Sequence, residues 1–226
     1  MADHLFRHEA GKMVAVLTRI FGLHNLELAE DVVQEAFAKA LQDWTFRIPD
    51  NPSGWLMQTA KNKTIDVLRR QRHQKTFADE FGYLLKSGYT DSHTVNQLFL
   101  DHEIKDSQLR MIFACCHPFL SESEQILLTL KTCSGFSIEE AANALLMKYD
   151  SAKKRLQRAK GKIREKKISF EIPAGAALAS RLDNVLLIIY LMFNEGYKSS
   201  TAEEVIRKDV CEEAMRLAIL LTDHPL

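Results

Sequence analysis

The chain has 226 residues, 46% hydrophobic and 27% charged, and its 30 Lys and Arg balance 30 Asp and Glu to a formal net charge of zero. This is the balance of an ordinary soluble globular protein, long enough for one large domain or two small ones. The start, MADHLFRHEAGKM, is polar and charged, unlike a secretory leader, and no apolar run reads as long enough to span a bilayer, so a cytoplasmic location without a membrane partner is expected.

In chain order, period-3.6 patterns run throughout and nothing alternates like a set of strands; the fold class is all-α. Helices are expected near 4–21, 28–44, 52–72, 107–117, 121–133, 137–146, 150–166, 177–194 and 201–222, with shorter pieces between 77 and 100. Composition shifts divide the chain into 1–73, a linker over 74–106, a second unit over 107–167 and, from 168 to 226, the start of a C-terminal helical extension.

The helix from 52 opens with Asn51 as cap and Pro52 in its first turn. At 100° per residue, Leu56, Met57, Ala60, Thr64, Ile65, Val67 and Leu68 share one half. Trp55, Gln58, Asn62, Lys63, Asp66, Arg69, Arg70 and His73 share the other. Between Lys61 and Lys75 the cations are Lys61, Lys63, Arg69, Arg70, Arg72 and Lys75, against the single acid Asp66. A one-sign face with an aromatic and amides interleaved suits phosphate neutralisation and base stacking.

The linker holds Gly82, Gly88 and the acids Asp91, Asp101, Glu103 and Asp106. After it comes CCHP at 115–118, which reads as a packed helix end before Pro118. Cys115, Cys116, Cys133 and Cys211 show no regular disulfide framework and fit a reducing compartment. Ser137 and Glu140 form a capping box, and Ile138, Ala141, Ala142 and Leu145 make the apolar face of the helix they open. A short break at 146–149 leads to a second basic helix with Ala152, Leu156, Ala159 and Ile163 inward. Ser151, Lys154, Gln157 and Arg158 point away from that face, with Lys153, Arg155 and Lys162 on the flanks. This is a helix-turn-helix pattern whose second helix would enter a major groove. The extension follows, RLDNVLLIIYLMFNEGY with Gly196 as a C-cap, then a second apolar helix.

The stretches LAEDVVQEAFAKAL (28–41), GWLMQTAKNKTIDVLRRQR (54–72) and GFSIEEAANALLMKYDSAKKRLQRAKGKIR (135–164) resemble an extracytoplasmic-function (ECF) sigma factor of bacterial RNA polymerase. DSQLRMIFACCHP (106–118) and YLMFNEGY (190–197) resemble a subgroup with a C-terminal helical extension. The resemblance implies two small helical domains joined by a linker, and a factor that binds core polymerase, recognises promoter DNA and promotes strand opening. Asp31, Gln34 and Glu35, at i, i+3 and i+4, match the family's contact with the core polymerase. Phe46, Arg47, Asp50 and Asn51 match the loop that captures a flipped minus-ten base; Trp55, Lys61, Asn62, Lys63, Arg69 and Arg70 would hold the separated strand. Lys148, Ser151, Lys153, Lys154, Arg155, Gln157 and Arg158 fall to the minus-thirty-five element, in contact with base edges or phosphates. Family members often carry glycine where this turn has Leu146 and a small capping residue where it has Lys148. The acidic linker would suit a path through the polymerase interior. The regulators the resemblance brings are an inhibitor protein or the extension itself, covering a binding face.

A stand-alone helix-turn-helix regulator with a helical sensor domain would explain 135–166 but not 28–73. An enzyme using His117, Cys115 or Glu195 has no visible nucleophile–base pairing or metal spacing, so no catalytic residue, cofactor or metal is expected.

Overall fold

The computed structural model describes residues 2–45, 47–73, 94–166, 168, 170–197 and 208–223; Phe46 and the 74–93 part of the expected linker lie outside the described residues. All regular structure among the described residues is helical, in agreement with the all-α expectation. Helix α1 (Ala2–Phe21) ends where Gly22 turns the chain at a φ of 85° into a single 3-10 turn, Leu23–Asn25. Asn25 Nδ2 donates to Phe21 O at 2.8 Å and so satisfies one of α1's last carbonyls. Helix α2 (Leu26–Asp43) follows at once. Helix α3 (Pro52–His73) opens as expected: Asn51 Oδ1 accepts the Gly54 N–H at 2.9 Å.

Helix α4 (Asp101–Cys115) starts six residues before the position expected from periodicity. Asp101 and Glu103 occupy its first turn, where carboxylates oppose the helix dipole, and Arg19 of α1 reaches Glu103 at 2.7 Å and Asp106 at 3.0 Å. Glu103 and Asp106, expected in an acidic linker with some helical content, are part of a helix tied to α1. Helix α5 (Glu122–Cys133) begins with a second capping box, Ser121 with Glu124. Helices α6 (Ile138–Ala144) and α7 (Tyr149–Lys166) come next, then α8 (Ala176–Tyr197) and α9 (Lys208–Asp223).

Helix α1 is the hub. Met13, Val16, Leu17 and Phe21 are fully buried, and α1 packs against α2, α3, α4 and α5. The segments on either side of the expected linker thus share one hydrophobic core in this arrangement. Close approach of α1 to α5 uses Gly11: a Cβ built there would lie 2.0 Å from Cys133 O. Cys115, Cys116 and Cys133 are buried; Cys116 N–H closes α4 on Ile112 O at 3.0 Å, the packed helix end expected before Pro118. Burial, with Cys115 alongside, pushes the Cys116 thiol up to about 12.

Helices α8 and α9 form a hairpin seated on α1, α4 and α5. Gly196 does not serve as a left-handed cap. It lies inside α8, where a Cβ would meet Cys211 Sγ at 2.8 Å, so its lack of a side chain lets α9 approach. Val185, Ile188 and Met192 of α8 are buried, while Leu186, Tyr190, Phe193 and Tyr197 form an exposed stripe. Against the expectation that no segment could span a bilayer, α8 is long and apolar enough to do so by length and composition. It nevertheless carries Arg181, which donates to Phe113 O at 3.1 Å, and Asn184, which donates to Gln125 Oε1 at 2.8 Å.

Candidate nucleic-acid interface

Three surfaces carry the residues singled out from the sequence. On α2, burial of Ala29, Val32, Val33, Ala36 and Ala40 turns Asp31, Gln34 and Glu35 outward together, and all three are exposed. Glu35 Oε2 accepts from Lys63 Nζ of α3 at 2.6 Å, so one polymerase candidate is paired with one DNA candidate.

On α3, Leu56, Ala60, Thr64 and Leu68 are buried at i, i+4, i+8 and i+12, which commits that stripe to the core. Thr64 Oγ1 donates to Ala60 O at 2.8 Å and needs no other partner. Asn62, Arg69 and Arg70 are exposed, and Lys61 is half-buried. Gln58 Nε2 donates to Asn62 Oδ1 at 2.8 Å, while Arg69 lies 3.9 Å from Asp66. Trp55 is half-buried, not on the open cationic face where the wheel put it. Its ring meets Trp44 edge-on, with centroids 5.3 Å apart. Phe6 stacks on Phe37 at 4.7 Å and lies 6.0 Å from Trp44, which extends the aromatic cluster into α1.

Between α2 and α3, the loop over 44–51 bounds a cleft of about 370 Å³ lined by Asp43, Trp44, Arg47, Pro49, Asp50 and Trp55. Arg47 and Asp50 are exposed and 3.8 Å apart. Asn51 differs from the other loop candidates because its Oδ1 is committed to the helix cap. Trp44 Nε1 is buried with no hydrogen-bond partner among the described residues. Phe46 lies outside the described residues.

The third surface is built by α6 and α7. Both halves of the first capping box are present: Glu140 N–H donates to Ser137 Oγ at 3.1 Å, and Ser137 N–H donates to Glu140 Oε2 at 2.6 Å. The helix then ends in paired 6→1 and 5→2 bonds, Met147 N–H to Ala142 O at 2.8 Å and Leu146 N–H to Asn143 O at 3.0 Å. Leu146 takes the left-handed position, at a φ of 51°, where glycine is the usual residue, and the residue is 97% exposed. Ala152, Leu156, Ala159 and Ile163 are buried, as the periodicity of α7 requires.

The outward residues of α7 fall into three groups. Ser151, Lys154 and Arg158 are exposed, as is Lys148 before the helix. Arg155 is drawn to one side by Ser123 Oγ of α5. Lys162 is drawn the same way by Glu124, at 2.7 Å. Burial raises the Glu124 carboxyl, but the Lys162 ammonium and the Ser121 N–H and hydroxyl outweigh it and hold the group below the usual carboxylate range. Lys153 and Gln157, also exposed, lie on the opposite flank at the edge of a cleft of about 800 Å³ shared with α1 and α2. Sequence reasoning missed what meets them there. Glu27 and Glu30 of α2 were not singled out, although their i, i+3 spacing one turn before Gln34 was visible.

Residues 5–74 match the family described as Sigma-70 region 2, and residues 181–226 match a family of unknown function (DUF6596). An uncharacterized protein of Rhizobium meliloti (strain 1021) is 36% identical over 209 residues, which cover 92% of this chain and 48% of that protein. The chain spans about half the length of that relative. No solved structure matches. The Sigma-70 region 2 match takes in α1, α2 and α3.

Proposed function

We propose that this chain is a sigma factor of the extracytoplasmic-function type, a non-enzymatic protein that works in the cytoplasm by binding core RNA polymerase, recognising promoter DNA and promoting strand opening. The observation that carries the reading is the Sigma-70 region 2 match over α1–α3, the helices that also hold the outward Asp31, Gln34 and Glu35 and the cations of α3. In this reading α2 docks on polymerase. The cleft beside Trp44 and Trp55 takes a flipped base, with stacking offsetting an extrusion cost of a few kcal/mol. Asn62, Arg69 and Arg70 follow the single strand, and Ser151, Lys154 and Arg158 are exposed residues of α7 that meet the minus-thirty-five duplex.

The test is co-elution with purified bacterial core polymerase in size-exclusion chromatography. The chain should co-elute, and Asp31→Ala/Gln34→Ala/Glu35→Ala should not. A chain that stays apart from polymerase but binds a palindromic duplex as a dimer would replace this reading with a stand-alone regulator.

A further inference from the structure

The two surfaces assigned to macromolecular partners face each other. Lys153, Gln157, Lys160 and Arg164 recur at i, i+4, i+7 and i+11 and so form one flank of α7. Across the 800 Å³ cleft stand Glu27, Glu30 and Gln34 of α2. Lys160 is bonded to the Glu30 carboxylate, with side-chain exposures of only 18% and 16%. Arg164 Nη1 lies 3.0 Å from Glu27 Oε2. Lys153 and Gln157, assigned to DNA, and Gln34, assigned to polymerase, line the same cleft. A third tie runs through Arg7 of α1. Its Nη1 donates to both oxygens of Glu140 at 3.0 Å, and its Nε lies 3.8 Å from Asp209 of α9. One guanidinium thereby joins α1, the head of α6 and the C-terminal hairpin.

We propose that the acidic edge of α2 is an intramolecular docking surface for α7, and that it holds the free chain in a closed state which must open before polymerase or promoter DNA engages. The proposal rests on the sigma-factor reading for what is being masked, but not for the latch itself. A major groove about 12 Å wide cannot close over Lys153 and Gln157 while α2 stands against the same flank. A polymerase helix approaching Gln34 meets α7 in the same way. Polymerase on Gln34 and DNA on Lys153 and Gln157 would each require the two helices to part, so either partner favours the open chain and assists the other. Because the Arg164–Glu27 pair is more than half exposed, the latch is weakened by salt.

The test uses the full chain carrying a donor–acceptor dye pair on Lys39→Cys of α2 and Glu165→Cys of α7, both exposed positions, while the native thiols are buried. Glu27→Lys/Glu30→Lys turns two attractions into repulsions. The exposed Arg164–Glu27 pair alone is worth up to about fivefold in the closed-to-open ratio, so reversing both pairs should shift that ratio at least about fivefold and lower energy transfer. Lys160→Glu/Arg164→Glu should do the same, and the four-site combination should restore transfer. Neither residue set belongs to the proposed polymerase or DNA contacts. The open variant should also bind core polymerase about fivefold more tightly than the four-site variant. Transfer that stays constant across both reversals, with helix content intact, overturns the latch. Transfer that falls while core affinity is equal in all variants overturns the competition with polymerase. If no variant binds core but transfer still falls and is restored, the latch stands and the sigma-factor reading is what fails.

Discussion

Alanine is the better helix former, yet Gly11→Ala should destabilise this protein. In the interior of an open helix the exchange gains about 1 kcal/mol. At Gly11 the added methyl carbon would lie 2.0 Å from the carbonyl oxygen of Cys133 and 2.7 Å from its carbon, whereas ordinary contact begins near 3.4 Å. Those are backbone atoms at the end of α5, so no rotamer change relieves the clash and the two helices must move apart by about an ångström. Overpacking of a core contact costs about 1–3 kcal/mol and occasionally more. The backbone origin of this clash puts it at the upper end, which leaves a net loss of about 1–2 kcal/mol. For a chain of this size each kcal/mol corresponds to about 2–4 °C in Tm, so a fall of about 2–8 °C is expected. Thermal unfolding followed by far-ultraviolet circular dichroism measures it. The sign is decisive: a Tm that rises would mean that Gly11 lies on an open helix face and that α1 does not pack closely on α5.

Leu146→Gly should be stabilising, by about 0.5–1 kcal/mol, since it removes a side chain from a left-handed position with no packing to lose; a Tm below that of the parent chain would refute this. Glu124→Gln should cost about 1–2 kcal/mol at neutral pH through the charged bond to Lys162. The Glu124 carboxyl is held below its ordinary range, so its contribution is complete above about pH 4.5 and is lost as pH falls through the lowered value. Denaturant unfolding of both chains across pH should therefore show a constant gap at higher pH that narrows below about pH 4.5; a gap independent of pH would contradict the assignment.

Several features were legible because they depend only on near neighbours. The capping box of Ser137 and Glu140, the Asn51 cap and the buried stripe of α7 need nothing beyond three or four residues of sequence. Leu146 was noted as a departure from glycine, and its left-handed φ gives that departure a physical meaning. Local logic misled where a distant partner intervened. Trp55 lies on the polar half of the α3 wheel but finds Trp44, which comes from the end of another helix. Gly196 resembles a cap, but it is the contact point for Cys211. Asp106 sits in an acidic, weakly periodic stretch, but it becomes helical next to Arg19, 87 positions away.

By itself the sequence determined helix content, most helix limits and the two basic faces, because period, capping and charge sign are set by residues a turn or two apart. Tertiary structure alone decided how those faces are spent. Which cations of α7 stay free and which are bound depends on carboxylates and hydroxyls from α2 and α5, and no one-dimensional pattern relates Lys160 to Glu30 across 130 positions. The close approach of α1 to α5 is likewise a tertiary fact, since a Cβ at Gly11 would lie 2.0 Å from Cys133 O, an atom 122 positions away in the chain.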